Sequence, residues 1–90
     1  MNPSQRRPLS LDGLRTFEVV ARRLSFSGAA DELHLTQSAV SRQIKALETE
    51  LGAPLFTRGT RKVELTADGQ VLRQALLPAL DGIDRSVRQI

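Results

Sequence analysis

Short hydroxyls and cations recur at helical spacing within LTQSAVSRQIKALETELG, residues 35 to 52. They are Ser38, Ser41, Arg42, Lys45 and Thr49. A helix that only needs to stay dissolved is expected to carry Glu and Lys pairs at such positions. Arginine and lysine can instead donate to guanine edges or to phosphates, and serine can bond to several bases. These residue types therefore favour contact with double-stranded DNA.

The apolar residues of the same stretch indicate which side of the helix faces inward. They are Val40, Ile44, Leu47 and Leu51. Because each residue advances by about 100°, Ser38, Arg42 and Lys45 fall on the opposite side of the helix. Gln37 lies in the first turn, where its amide can pair with adenine. Thr36 is predicted both to cap the helix and to contact DNA, and the N–H groups behind it can bind phosphate.

A short helix is predicted to precede this segment across a tight turn at residues 34–36. Ser27 is its expected N-cap, which places Asp31 and Glu32 early in the helix, where the dipole favours acids. Its small buried face consists of Ala29, Ala30 and Leu33. Two helices in this arrangement form a helix-turn-helix, whose second helix enters the major groove. The sequence thus predicts a recognition helix over about residues 37–50.

A basic hairpin is predicted directly after this helix, which Gly52 and Pro54 terminate. PLFTR and KVEL are short β-prone segments around Gly59-Thr60. Between them TRGTRK, residues 57 to 62, holds three cations and no acid: Arg58, Arg61 and Lys62. Such a wing would reach the minor groove or the phosphates. The alternative interpretation is a solvated turn.

Two further helices complete the predicted fold, which is mainly α with a two-stranded wing. A first helix starts after Ser10 and buries a stripe of Leu14, Phe17, Ala21 and Leu24. Residues 1–9 are predicted to form a flexible arm, residues 10–65 the winged helix-turn-helix, and residues 66–90 a long linker helix. Phe17, Phe26 and Phe56 are expected in the core rather than as stacking platforms.

The last helix carries an apolar stripe wider than one face needs. Thr66 is its predicted cap, and Pro78 is expected to bend it, because an interior proline costs about 3 kcal/mol unless a kink absorbs it. The stripe is predicted to pack on its own domain near the helix start and on a second copy further along. The candidate dimerisation residues are Leu72, Leu76, Ala79, Leu80, Ile83, Val87 and Ile90.

Composition excludes several classes of function. The chain has no cysteine, so disulfides and thiolate catalysis are excluded. Its only histidine, His34, falls in the inter-helix turn, where a solvent-facing or capping role is expected. No cofactor, no metal and no enzymatic activity are predicted. The apolar runs fall short of the ~20 residues that span a bilayer, so a cytoplasmic location is expected.

Two alternatives to a sequence-specific DNA-binding protein remain open. One is a non-specific architectural DNA-binding protein. The net charge is only +3, from 13 Lys and Arg against 10 Asp and Glu, so the distribution of charge must carry any argument about nucleic acid. A winged-helix protein-interaction module is the other alternative. It requires an exposed apolar patch outside the linker helix, which the sequence does not display.

The order and spacing of several short motifs resemble a known family. They are Ala29-Ala30, TQSAVSRQI, Leu47-Glu48, LG at 51 and 52, LF at 55 and 56, and LTADG. Together they resemble the N-terminal DNA-binding domain of LysR-type transcriptional regulators over roughly residues 10–90. One departure is Ser38, where many members carry proline, so that a contact with a thymine methyl group would be replaced by a polar one.

The resemblance implies properties beyond those that spacing predicts. Base and backbone contacts would map onto Gln37, Ser38, Ser41, Arg42 and, in the wing, Arg61, with Lys45 and Arg58 as phosphate contacts. Family members bind partly palindromic promoter sites of the T-N11-A type. They form homodimers through the linker helices and can form tetramers. A small-molecule effector binds a C-terminal domain, and the chain is therefore expected to be a fragment of a longer bacterial regulator.

Overall fold

The structure is a computed structural model that describes residues 9–59 and 62–90. Within those ranges it contains four helices and one two-stranded antiparallel sheet. The elements are α1 (Leu11–Arg23), α2 (Phe26–Leu33), α3 (Gln37–Leu51), β1 (Phe56–Arg58), β2 (Val63–Leu65) and α4 (Ala67–Gln89). This architecture confirms the predicted fold class. The proposed arm falls on residues 1–8, outside the described residues, and on Leu9, which packs half-buried against the core.

Local capping chemistry places most helix ends where the sequence predicts them. Ser10, Thr36 and Thr66 each have an extended backbone, and each hydroxyl accepts a hydrogen bond from the N–H three residues on. The donor-acceptor distances are 3.0 to 3.2 Å. Gly52 ends α3 in the left-handed conformation, with φ of 72°, and donates to Glu48 O at 2.8 Å. These contacts satisfy backbone groups that a helix end otherwise leaves unpaired.

The predicted start of α2 is wrong by two residues. Ser25, not Ser27, is the N-cap, and its Oγ accepts from Gly28 N at 2.9 Å. Both serines can cap by type, but the earlier start places Phe26 in the first helical turn. There its ring lies edge-on to Phe56, with centroids 5.9 Å apart. A tertiary contact therefore decides between two locally equivalent caps.

The core lies where the first three helices meet. Phe17, Val40 and Ile44 are fully buried there, and Leu55 joins them from the segment before β1. The Ala29 and Ala30 side chains are also buried, as predicted, and allow α2 to approach its neighbours closely. The predicted stripe of α1 is wrong at Leu24, which is 47% exposed. This residue is the left-handed C-cap of α1, so it has already left the helical face.

Helix α4 is attached to the bundle at three levels. At its start, Thr66 N donates to Leu55 O at 3.0 Å, and Thr66 Oγ1 donates to Pro54 O at 2.8 Å. Leu72, Leu76 and Leu80 then pack on the core. Further along, Arg15 of α1 forms an ion pair with Asp84 at 3.0 Å. The helix continues through Pro78, and the predicted bend at that residue stays a prediction.

The acids of α2 serve a different purpose from the predicted one. Because the helix starts earlier, Asp31 and Glu32 lie in its second half rather than near its positive end. Glu32 accepts hydrogen bonds from Arg22 and from Arg23, the latter at 3.2 Å. Arg22 also pairs with Glu18 at 3.1 Å. The network joins the end of α1 to α2 on the surface.

This network predicts a stability change at acid pH. The hydrogen bond from Arg22 holds the pKa of Glu32 below its usual range. A carboxyl whose pKa is lower in the folded state stabilises the fold above its unfolded pKa, about 4.3. We expect that contribution to disappear as the pH falls below this value. Urea unfolding of wild type and Glu32→Gln from pH 7 to 3.5 should give midpoints that converge. A difference that is independent of pH would contradict the prediction.

Candidate nucleic-acid interface

The outward side of α3 carries the predicted polar face. The Gln37, Ser38, Arg42, Lys45 and Thr49 side chains are exposed, and Ser41 is half-buried at the flank. Val40, Ile44 and Leu47 are buried on the opposite side. In the part of the chain that the structure describes, neither Arg42 nor Lys45 forms an ion pair with a carboxylate. Both cations are therefore available to an external anion.

The amino end of α3 is exposed, and its first backbone N–H groups have no hydrogen-bond partner among residues 9–59 and 62–90. The first intrahelical hydrogen bond runs from Val40 N to Thr36 O at 3.1 Å. The N–H groups of Gln37 and Ser38 precede it and point out of the helix end, where the dipole favours an anion. Thr36 was predicted as a DNA contact, but its Oγ1 already accepts from Ala39 N and lies 3.2 Å from Ser38 Oγ. Its first role is to cap the helix.

The turn between α2 and α3 is fixed by backbone hydrogen bonds. His34 is exposed, adopts the left-handed conformation with φ of 57°, and caps α2 through its N–H. Leu35 N donates to Ala30 O at 2.9 Å. The expected capping, solvent-facing role of the histidine is confirmed. These contacts set the angle at which α3 leaves α2.

The predicted wing is present after α3. Strands β1 and β2 pair antiparallel, with Phe56 opposite Leu65 and Arg58 opposite Val63. Gly59 N donates to Lys62 O at 3.2 Å where the strands leave the turn. The side chain of Lys62 is 80% exposed and lies 3.7 Å from Glu64. Thr60 and the predicted DNA contact Arg61 lie outside the described residues.

Arg58 occupies a different environment from the other wing cation. Its guanidinium lies over the ring of Phe26, 4.8 Å from the centroid. Its Nη2 is 4.0 Å from Oε1 of Glu48, for which the sequence predicts no role beyond its place in a family motif. Glu48 is 13% exposed, and its Oε2 accepts from Leu55 N at 2.7 Å. Sequence spacing gives no signal for this cluster, because α2, α3 and β1 come together only in the fold.

The predicted dimerisation residues divide into two groups in the structure. Leu76 and Leu80 are each only 7% exposed, and Leu72 is half-buried against the same core. Leu76 and Leu80 thus pack in the core of their own chain. The remaining members, Ala79, Ile83, Val87 and Ile90, are exposed. Val71 and Leu77 are exposed apolar residues of α4 that the predicted set did not include.

Residues 9–59 and 62–90 contain no group of three or more His, Asp or Glu side chains that could hold a metal ion. None of their helices is both long and apolar enough to cross a membrane.

Three packed helices, a two-stranded wing and an outward cationic face on the third helix define a winged helix-turn-helix DNA-binding domain. Residues 11–70 match the family model described as bacterial regulatory helix-turn-helix protein, lysR family. The chain therefore belongs to the LysR family. Membership in this family of transcription regulators agrees with the prediction that the chain is not an enzyme.

Individual relatives are similar over nearly the whole chain. The HTH-type transcriptional regulator DsdC of Escherichia coli K12 is 49% identical over 80 residues, which cover 89% of this chain and 26% of DsdC. BlaA of Proteus vulgaris, also an HTH-type transcriptional regulator, is 47% identical over 81 residues, 90% of this chain and 28% of BlaA. The chain thus spans about a quarter of the length of these relatives.

A solved structure has the same fold. The crystal structure of the BenM_DBD/catB site 1 DNA complex matches with a TM-score of 0.84 and 40% sequence identity. The match covers 89% of this chain and 89% of that chain. Since it covers 89% of this chain, the similarity extends into α4, beyond residue 70 where the family model ends.

Proposed function

We propose that this chain binds double-stranded promoter DNA in a sequence-specific manner. Helix α3 enters the major groove, and the hairpin contacts the minor groove or the backbone. The observation that carries this proposal is the exposed face of α3, where Arg42 and Lys45 lack a carboxylate partner among the described residues. Paired surface cations would have to exchange one partner for another on binding, whereas these two require no such exchange.

Residue roles follow from side-chain chemistry and position. Gln37, Ser38, Ser41 and Arg42 are proposed to contact base edges, since their side chains lie in the first two turns of α3. Lys45 and Lys62 are proposed to contact phosphates, with the N–H groups at the start of α3 as further phosphate donors. Arg61, which lies outside the described residues, is proposed for the minor groove.

A competition experiment separates the proposed function from the two alternatives. Binding sites are selected from random duplexes, and the affinity for a selected site is compared with that for shuffled DNA at 150 mM salt, about the physiological value. A sequence-specific protein is expected to prefer the selected site by about 10³-fold or more. Equal affinities would indicate architectural binding, and no association would leave the protein-interaction module.

We also propose that the exposed part of α4 pairs with a second copy of the chain. Ile83 and Val87 are one helical turn apart, with exposures of 42% and 63%, and Ile90 follows on the same side. The helix of 23 residues is roughly 35 Å long at 1.5 Å per residue. This length is similar to the spacing of successive major grooves, about 34 Å, where the two recognition helices of a dimer would lie.

Val87→Asp is expected to abolish dimerisation, because an aspartate in an apolar seam would be desolvated without a partner. Sedimentation velocity at several concentrations measures the outcome. Val71→Asp is the matched control: Val71 is 68% exposed and lies about 160° around the helix from Val87. It should leave the dimer intact. Equal sedimentation of both variants and wild type would contradict this seam.

The family resemblance suggests four further properties of the complete regulator: its DNA site, its oligomeric state, its effector and its location. We propose a partly palindromic T-N11-A type site, a tetramer in the full-length protein, and a small-molecule effector bound by a C-terminal domain. The site of action would be the cytoplasm, where promoter DNA lies. Selection of binding sites with this chain tests the first of these directly.

A further inference from the structure

The flank of α3 next to the wing carries a carboxylate where repulsion from DNA would be expected. Glu48 lies in the same turn as Lys45 and Thr49, close to the proposed phosphate-binding surface. An acid there lowers the affinity for phosphates unless it is neutralised. Its Oε2 accepts the N–H of Leu55 at 2.7 Å, and its Oε1 faces Arg58 at 4.0 Å.

Arg58 connects this carboxylate to the aromatic part of the core. Its guanidinium lies 4.8 Å from the centroid of Phe26, within cation–π range. The Phe26 ring contacts Phe56 edge-on, and Phe56 contacts Phe17 with centroids 5.4 Å apart. Arg58, the last residue of β1, is therefore held from two sides by α2 and α3.

The wing needs side-chain contacts that attach it to the helices. Its strands have three residues each, and an isolated two-stranded hairpin is marginally stable in water. Phe56 anchors the beginning of β1 in the core, and Val63 and Leu65 of β2 pack half-buried against it, but Thr57, Lys62 and Glu64 are exposed. The contacts of Arg58 add a direct connection from the outer end of β1 to α2 and α3.

We infer that Glu48 and Arg58 are positioning residues that fix the wing beside α3, and that Arg58 serves this purpose instead of binding a DNA phosphate. The inference rests on the proposed DNA-binding function and changes the role that the sequence suggests for Arg58. With the wing fixed, Lys62 is presented at a constant position beside the recognition helix. A loose wing would have to be ordered at each binding event, at an entropic cost.

Glu48→Gln tests the inference because two mechanisms predict opposite results. The glutamine carbonyl can still accept from Leu55 N, so the substitution removes mainly the charge that faces Arg58. If Glu48 only repels DNA, the affinity for a selected site should rise. If it positions the wing, we expect a loss of about two- to fivefold, the size typical of a partly exposed ion pair.

Matched controls separate wing position from net charge. Glu64→Gln removes an equal charge from the wing itself, where the carboxylate is 59% exposed and pairs only with Lys62 among the described residues. It should keep or raise the affinity. Arg58→Met keeps the apolar length of the side chain and removes the cation. Combined with Glu48→Gln, it should lower the affinity less than the sum of the single changes, as expected for residues that act through one contact.

A measurement without DNA distinguishes failure of this inference from failure of the proposed function. Amide hydrogen exchange of the free protein at Gly59, whose N–H bonds to Lys62 O, should accelerate in Glu48→Gln and Arg58→Met but not in Glu64→Gln. Unchanged exchange in the first two variants, or a rise in affinity for Glu48→Gln, would overturn the positioning role. A wild-type chain that binds no DNA would refute the proposed function, while exchange would still decide whether the pair holds the wing.

Discussion

Gly69→Ala is expected to lower the free energy of unfolding by about 3 kcal/mol or more, at the upper end of overpacking effects. A Cβ at this position would lie 2.2 Å from the carbonyl oxygen of Leu55 and 2.9 Å from Cδ2 of Leu65. The carbonyl cannot move away easily, because it accepts from Thr66 N at 3.0 Å and the Leu55 side chain is 1% exposed. The start of α4 and the end of the wing would both have to shift.

Gly82→Ala is the matched control in the same helix. The nearest atom to its added Cβ is Nη2 of the flexible Arg85, at 4.0 Å. Alanine there should stabilise the helix by up to about 1 kcal/mol through propensity alone. Urea unfolding followed by circular dichroism measures both variants. A small domain has a stability of about 5–15 kcal/mol, so Gly69→Ala should leave a clearly lower midpoint. Equal midpoints for Gly69→Ala and wild type would refute the close approach.

The sequence did not predict the close contact between Gly69 and Leu55. The sequence places Gly69 inside a helical pattern, where glycine only signals weak propensity. Glycine is required there because the carbonyl of Leu55 lies against it, and Leu55 is separated from Gly69 along the chain by β1 and β2. By contrast, the caps at Ser10, Thr36 and Thr66 were predictable, since a cap depends on a hydroxyl and a backbone N–H three residues apart.

The same distinction applies to the candidate site. The exposed face of α3 follows from helical periodicity, so Arg42 and Lys45 were placed correctly on the outward side. Arg58 has no such periodicity to define its surroundings. Its contacts with Phe26 and Glu48 depend on the packing of two other elements. Local patterns therefore identified which cations face outward on a helix, but not which cation is held by the protein itself.

The wide stripe of α4 shows why apolar residue type alone cannot assign a partner. Leu76 and Ile83 are both apolar and one heptad apart, yet Leu76 is 7% and Ile83 42% exposed. Leu80 is the last residue of α4 in the buried core, and beyond it Arg15 of α1 contacts Asp84 through an ion pair rather than through apolar packing. The extent of intramolecular packing, which residue type does not reveal, thus decides which apolar residues stay exposed.

Arg42→Ala is expected to cost on the order of 1–3 kcal/mol of binding free energy on a cognate site and to relax specificity at one base position. Arg42 is exposed and has no ion-pair partner among the described residues. Alanine is also the best helix former. The substitution should therefore leave stability within about 0.5 kcal/mol of wild type. A loss of affinity can then be assigned to the contact with DNA rather than to partial unfolding.

Lys62→Ala is the comparison that shows whether the affinity lost in Arg42→Ala comes from a base contact or from a phosphate contact. Lys62 is a highly exposed wing cation, and a phosphate contact carries no sequence information. Its removal should weaken binding to cognate and shuffled duplexes alike and reduce the slope of log K against log salt by about 0.9.

Arg42→Ala should instead weaken cognate binding more than shuffled binding, because bidentate contact with a guanine exists only on the correct sequence. Fluorescence anisotropy titrations of both variants on both duplexes, at several salt concentrations, measure this difference. If Arg42→Ala lowers both affinities equally, Arg42 acts as a phosphate ligand, and base reading must lie with Gln37 and the serines of the first two turns of α3.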